Sequence, residues 1–400
     1  MKSPLKIIIF DGSYKTTPFI NRLIKGLAVR HEVYVLGFNV EIAYKLDRVH
    51  YMPLGSNQNK FRFIATSLRY AANTKSFKTI FNTIGKLNSG ERNSVQQQNL
   101  DFVINKINPD IIHLQWPSVI PWIEEILVKQ KYAVLLSQRG SQNNVRPFVE
   151  NDFFDYLQQW YPKINGFHSV SKAISLNGDK IWASDEKLDK VIYTGVPIPK
   201  LVFLERYDIS IPLQLLSVGR AHWVKGYSYA LSTCQILKEK KFSFQYTIIG
   251  GAGDEELQFL ISDLGLQGYV NLTKRVSQEE VFKKMNNASL LLMSSVEEGI
   301  PNVAVEAMAI GLPVLSTNCG GIAELILDGE EGWIVPIRDP EAMAEAIVEF
   351  SNLPLNRINE VRKAAREKVE KHHSEERMVR EMEELYYKVM ELKSVSASAI

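Results

Sequence analysis

Only two cysteines, Cys234 and Cys319, occur in the 400 residues. A disulfide framework and a cysteine-ligated zinc site are excluded, and the usage is that of a reducing compartment. Long apolar runs are also missing. None approaches the roughly 18 residues that a membrane-spanning helix needs. The run Ile7–Phe10 is too short for a signal-peptide core and has no small-residue cleavage site behind it, so it reads as a first strand. There is no GxxxxGK(S/T) loop, no HExxH helix, and no DxD or His/carboxylate cluster, so neither a P-loop nor a metal site is expected. Zinc-finger, helix-turn-helix and RRM signatures are absent, which argues against nucleic acid. What is present is an ordinary globular balance, 45% hydrophobic and 23% charged, with length for two or three domains.

The net charge of +2 hides an asymmetry. Residues 1–200 carry 26 Lys and Arg against 16 Asp and Glu, whereas residues 201–400 carry 21 against 29. Residues 51–100 hold seven basic residues and one acidic residue. Two domains with different partners are implied, the first suited to something anionic such as a membrane surface. A solvated surface bias explains the same numbers.

Strand and helix patterns alternate along both halves. Lys6–Phe10, His31–Gly37, Asp110–Gln115, Tyr132–Ser137, Gly166–Val170 and Lys190–Tyr193 read as strands of the first half. Phe19–Val29, Phe61–Tyr70 and Val95–Ile107 read as helices between them. The pattern breaks around Thr194–Pro212, at Gly195, Pro197, Pro199 and Pro212. It restarts with strands at Leu213–Val218, Phe244–Ile249, Val270–Leu272, Ser289–Ser294, Val314–Ser316 and Gly332–Val335. The economical architecture is two successive doubly wound α/β domains with parallel sheets and ligand crevices at the strand carboxyl ends. The domains are placed at 1–200 and 201–375. A charged helical run from about Asn356 to Leu392 follows, with His372 and His373 expected to be exposed and the tail from Ser394 expected to fray.

Three segments carry chemistry. In Ser294–Gly321 a buried strand runs into a loop with Glu297, Glu298 and Gly299, and a helix starts at Asn302 behind Pro301. The free N–H groups of a helix start make an anion site. Glu298 and Glu306 stand eight apart and suit sugar or ribose hydroxyls, which need ionised acceptors. Glu306 lies among Val303, Ala304, Ala307, Met308 and Ala309, so its carboxylate needs a partner; Glu297 reads as solvated. The second segment, Leu216–Gly226, puts Arg220 and Lys225 in a strand-to-helix loop, which suits a diphosphate. The third, Gly250–Gly253, lacks the GxGxxG spacing and is explained by a tight turn.

Taken together, GR…KG, EEGIPNVAVEAMAIGLPVLSTNCGGIAEL and DGEEGWIVP resemble glycosyltransferase family 4, densely over Leu213–Phe350 and more loosely through PDIIHLQWP, FHSVSKAI and VIYTGVPIP. The resemblance implies a GT-B fold, two Rossmann-like domains facing across a cleft, and a retaining, metal-independent transfer from a nucleotide-diphosphate sugar donor with no other cofactor. The donor would bind the second domain and a glycan or lipid-linked acceptor the first, with residues 376–400 packing back on that domain. Implied roles are diphosphate binding for Arg220 and Lys225, ribose for Glu306, and donor sugar for Glu298. The backbone of Gly299, Ile300, Pro301, Asn302 and Val303 would cover the sugar and distal phosphate, and Arg275 and Val276 would meet the base. Two departures stand out. The glycine pair after the first strand is Asp11-Gly12-Ser13, keeping Gly12 alone near the donor phosphate. Arg139 stands where many members have a His. Arg stays protonated and cannot be a base. It would stabilise leaving-group charge, bind an anionic acceptor or hold a turn. His113 is either a substitute or a satisfied core residue. The expected setting is cytoplasmic, at the inner face of a membrane, in surface polysaccharide assembly. A nucleotide-sugar epimerase and a non-catalytic nucleotide-sugar-binding subunit are the alternatives.

Overall fold

The structure is a computed structural model that describes residues 3–14, 16–38 and 45–398, with side chains to residue 394. The chain forms two units. One comprises residues up to Val170, Ile174–Gly195 and the chain from Glu375; the other comprises Ser171–Ala173 and Val196–Ser374. The first seam therefore falls at Gly195/Val196, slightly ahead of the expected 200/201.

The first unit is built on strands β1 (Lys6–Gly12), β2 (Glu32–Gly37), β3 (Val49–Pro53), β4 (Ile111–Leu114), β5 (Ala133–Gln138), β6 (Gly166–Ser169) and β7 (Asp189–Val191). They form one parallel sheet in the order β3-β2-β1-β4-β5-β6-β7. Alternate residues of each strand enter opposite cores. Ile7, Ile9, Val33, Val35 and Leu135 pack on one face; Ile8, Phe10, Leu36, Val134 and Leu136 pack on the other. Burial on both faces is why these strands read as continuous apolar runs. The helix Glu375–Ser398 supplies Met378, Met382, Leu385, Tyr386 and Val389 to the first of these cores.

The second unit contains β8 (Leu213–Val218), β9 (Phe244–Ile249), β10 (Val270–Thr273), β11 (Leu290–Met293), β12 (Val314–Thr317) and β13 (Trp333–Val335). Its parallel order is β10-β9-β8-β11-β12-β13. Both sheets reverse direction beside their first strand, the Rossmann arrangement. Leu213, Leu215, Tyr246, Ile248, Leu290, Leu292 and Leu315 share a core with residues of the helices Tyr227–Glu239 and Pro340–Asn352.

The structure departs from the sequence reading in several elements. Strand β3 was not expected, because its half-buried VHYMP carries no apolar period. The helix Phe77–Asn88 was not expected either; it buries only Thr83, so it lacks the usual inward stripe. The charged helical run divides at His373-Ser374 into Leu355–His372 and Glu375–Ser398. His373 is buried at that break, and its carbonyl accepts from Val196 N–H at 2.8 Å, so the expectation of exposure fails there. The tail does not fray at Ser394: the backbone stays helical to Ser398, and Ala399 and Ile400 lie outside the described residues. Among the described residues, no helix is long and apolar enough to cross a membrane.

Leu292 is fully buried in central strand β11. Leu292→Ala should lower unfolding stability by about 2–5 kcal/mol, read as a lower urea midpoint.

Candidate functional site

In the second unit the strand order reverses between β8 and β11, where a doubly wound sheet opens a crevice at its carboxyl edge. The loop after β8 is Gly219–Gly226, and the loop after β11 is Ser294–Pro301. Val296 N–H donates to the Val224 carbonyl at 2.8 Å, and the Ser294 hydroxyl donates to the Lys225 carbonyl at 2.9 Å. Gly226 has φ +58°, and a Cβ there would lie 2.1 Å from the Ser294 carbonyl oxygen. Glycine therefore permits both the left-handed turn and the approach of the two loops.

That approach sets the Lys225 ammonium against the Glu298 carboxylate as a mostly buried ion pair. The Ser295 hydroxyl donates to the same carboxylate oxygen at 3.2 Å. Gly320 closes in from the loop after β12: at φ +52°, any Cβ would collide with the Glu298 carbonyl. The Tyr227 hydroxyl donates to the Gly219 carbonyl at 3.2 Å. Burial, reinforced by the Glu298 charge, pushes that phenol above its ordinary range. Cys319 is buried nearby, and burial pushes its thiol up to about 12, so it is no nucleophile at neutral pH. Arg220 is exposed on the β8 loop.

The helix Asn302–Ile310 begins behind Pro301 with no side-chain cap and buries every residue from Ala304 to Ile310. Gly299, Ile300 and Pro301 are buried, and Asn302 and Val303 are half-buried. Glu306 is 8% exposed, and its Oε1 accepts from Gln278 Nε2 at 2.8 Å. Gln278 opens the helix Gln278–Asn286, just past Arg275 and Val276, so the Glu306 carboxylate is fixed toward the loop after β10. Arg275 is exposed and Val276 half-buried.

The corresponding edge of the first unit holds Asp11, Gly12 and Arg139. Gly12 ends β1 at φ +75°. Arg139 is 5% exposed, and its guanidinium lies 4.9 Å from the Phe19 ring centroid and 5.8 Å from that of Trp116. Burial lowers its pKa to about 10, so it remains a cation at neutral pH. Asp11 accepts from the Trp116 indole N–H, and burial raises its carboxyl to about 7 against the lowering effects of that bond and of Arg139. Behind them runs a buried chain. His113 Nδ1 and Nε2 lie 2.8 Å from the Tyr386 hydroxyl and 2.7 Å from the Ser137 hydroxyl. Ser137 Oγ lies 2.8 Å from His168 Nδ1, and His168 Nε2 lies 3.0 Å from the Ile192 carbonyl. Burial and the Arg139 charge hold His168 down to about 3, and burial, together with the His168 and Arg139 charges, keeps His113 well below its ordinary value. With both rings neutral the carbonyl at one end sets one direction: Tyr386 donates to His113, His113 to Ser137, Ser137 to His168, and His168 to Ile192. His113 is thus a satisfied core histidine. Arg139 Nη2 also donates to Ser137 at 2.6 Å, while Arg139 Nε and both Gln115 amide atoms have no partner among the described residues.

Comparison with known proteins fits this geometry. Residues 210–371 match the family described as glycosyl transferases group 1. The matched residues lie within the second unit, Val196–Ser374. Amylovoran biosynthesis glycosyltransferase AmsK of Erwinia amylovora is 34% identical over 244 residues, 56% of this chain and 58% of that protein. The candidate colanic acid biosynthesis glycosyltransferase WcaL of Escherichia coli (strain K12) is 36% identical over 181 residues, 44% of this chain and 45% of that protein. The chain spans about half the length of the curated relatives it matches. Two solved structures establish the fold over nearly the whole chain. Sucrose-phosphate synthase from Thermosynechococcus elongatus has a TM-score of 0.76 at 16% identity, covering 97% of this chain and 100% of that one. Anabaena HepE, solved in complex with UDP-glucose, has a TM-score of 0.67 at 15% identity, covering 99% and 100%. Both units are Rossmann-like, and the fold is GT-B.

In the second unit the structure brings Lys225, Glu298, Ser295 and Gly226 together, and it adds Gln278 as partner of Glu306. Sequence reasoning missed Gln278, which carries no motif signal. It also missed the Tyr386–His113–Ser137–His168 chain, whose members are separated by up to 273 residues.

Two outcomes follow. Gly226→Ala should cost about 2 kcal/mol or more, from the left-handed backbone and the clash with Ser294, and should lower the melting temperature. Asp11 has a folded-state pKa raised from 3.8 to about 7. Between those values the unfolded chain releases a proton that the folded chain keeps, so wild-type stability falls as pH rises. The stability of Asp11→Asn relative to wild type should therefore grow from pH 4 to about 7 and level off above, measured by urea titration at each pH.

Proposed function

We propose that this chain is a retaining glycosyltransferase that takes a nucleoside-diphosphate sugar as donor and a glycan or lipid-linked glycan as acceptor. The reading rests on one observation above all. The Lys225–Glu298 pair stands with the uncapped start of helix Asn302–Ile310 and the anchored Glu306 on one segment, and that segment matches the group 1 family. The names of AmsK and WcaL support a place in surface polysaccharide assembly.

Lys225 and Arg220 supply charge for the donor diphosphate, Lys as a point charge and Arg as a planar fork. In the structure Lys225 and Glu298 neutralise each other. A diphosphate gives Lys225 a stronger partner and leaves Glu298 to accept from a hydroxyl of the donor sugar. Glu306, already oriented by Gln278, accepts from the ribose hydroxyls. The main chain of Gly299–Val303 covers the sugar and distal phosphate, and that of Arg275 and Val276 meets the base. The bond between the sugar's anomeric carbon and the diphosphate oxygen breaks, and a bond to the acceptor oxygen forms on the same face. The acceptor proton passes to a donor phosphate oxygen, so no protein base is required and a cation at Arg139 is compatible with turnover. Arg220 and Lys225 hold the charge that develops on the leaving diphosphate. We assign the acceptor to the first unit, where Arg139 offers a fixed positive charge.

A thermal-shift panel of UDP-, GDP- and ADP-sugars tests the reading. At about 100 times Kd a ligand adds about 2.7 kcal/mol. One nucleotide class should raise the melting point of the wild type by several degrees and leave Glu306→Ala unmoved. With that donor, Arg220→Ala and Lys225→Ala should each lower kcat by about 100- to 1,000-fold. Near-wild-type turnover in either variant overturns the phosphate assignment. Donor binding without transfer to any acceptor favours the non-catalytic subunit, and isomerised donor without acceptor favours the epimerase.

A further inference from the structure

Between Met52 and Gly90 the chain carries six cations, Lys60, Arg62, Arg69, Lys75, Lys78 and Lys86, and no Asp or Glu. The stretch folds mainly into the helices Lys60–Asn73 and Phe77–Asn88 of the first unit, capped by Asn59 and Ser76. The first helix is anchored through Phe63, Ser67, Tyr70 and Ala71, whereas the second buries only Thr83. The apolar residues left outside are large. Phe61, Phe77 and Phe81 are 86%, 80% and 71% exposed, and Ile84 is exposed as well. Phe77, Phe81 and Ile84 recur at i, i+4 and i+7 and so form one stripe. Lys60, Arg62, Arg69, Lys75 and Lys78 are exposed in the same stretch of chain.

Scattered apolar residues on a surface are ordinary, but a helix that turns its phenylalanines outward and buries a threonine is not. Rings this exposed protrude, and they suit a deformable partner better than a preformed groove. The cations have no counter-charge within the stretch. We propose that this helical pair docks on the surface of a bilayer rich in anionic lipid, with the rings at the acyl boundary and the Lys and Arg heads among the phosphates. The stretch belongs to the first unit and the proposed donor residues to the second, and its test needs neither a nucleotide nor turnover, so either reading can fail without the other.

The test is sedimentation of the full chain with vesicles, either phosphatidylcholine alone or equal parts phosphatidylcholine and phosphatidylglycerol. The chain should pellet with the anionic vesicles at low salt, remain in solution with the neutral ones, and release at roughly 0.5 M salt, where screening reaches within a few ångströms. Lys75→Glu with Lys78→Glu should weaken binding by about fivefold or more per cation changed. Phe77→Ser with Phe81→Ser should weaken it by about tenfold even at low salt. All four residues are exposed, so circular dichroism melts should match the wild type. Failure to pellet with anionic vesicles at low salt overturns the proposal, as does binding that neither pair of changes affects. Concentration-dependent self-association that the Phe pair abolishes, without vesicle binding, assigns the stripe to a second copy of the chain instead.

Discussion

The close approach of two backbone loops governs the second unit. Gly226, in a left-handed turn, lies against the Ser294 carbonyl, and Gly320 lies against the carbonyl of Glu298. Neither position has room for a Cβ. Because the loops touch at the backbone, the side chains at their ends, Lys225 and Glu298, meet as an ion pair at a sheet edge that would otherwise present two isolated charges. Both are largely shielded from water, where a lone charge is costly and a paired one tolerable. In the proposed donor complex a diphosphate takes the place of the carboxylate as the partner of Lys225, with no change in the sign of the charge it faces.

The first unit solves a different problem at the equivalent edge. It buries two histidines, a serine and a tyrosine in a chain whose donors all point one way and end on a backbone carbonyl. Burial, with the Arg139 charge, keeps both histidines neutral, which removes them from acid–base chemistry and leaves Arg139 as the permanent cation beside them. The guanidinium is held by aromatic rings and a serine rather than by a tight carboxylate pair, and that is why burial lowers the pKa of Arg139 and raises that of Asp11.

Much of this was legible in the chain because parallel sheets buried on both faces write long apolar runs, bounded by glycine and proline. All six strands of the second unit could be placed from such runs, as could the helix Asn302–Ile310 with its stop at Gly311. Glu306 could be singled out because a carboxylate among alanines needs a partner. Elements that bury little were illegible: β3 is half-buried at a sheet edge, and Phe77–Asn88 turns its large apolar residues outward. His373 looked exposed because its neighbours are charged; it is buried because the helix ends there and its carbonyl accepts from Val196.

What the sequence by itself determined is the alternation of strand and helix, the two-part division, and the residue types on offer at each loop: Arg220 and Lys225, Glu298, Glu306, Arg139. Local spacing decides these, through period, caps and turn residues. Only the tertiary structure decided who meets whom. Lys225 pairs with Glu298 across 73 residues, Glu306 with Gln278 across 28, and His113 with Tyr386 across 273. These partnerships depend on strand order and on which loops share a sheet edge, and a pairing between distant residues leaves no period in the chain for a reader to find.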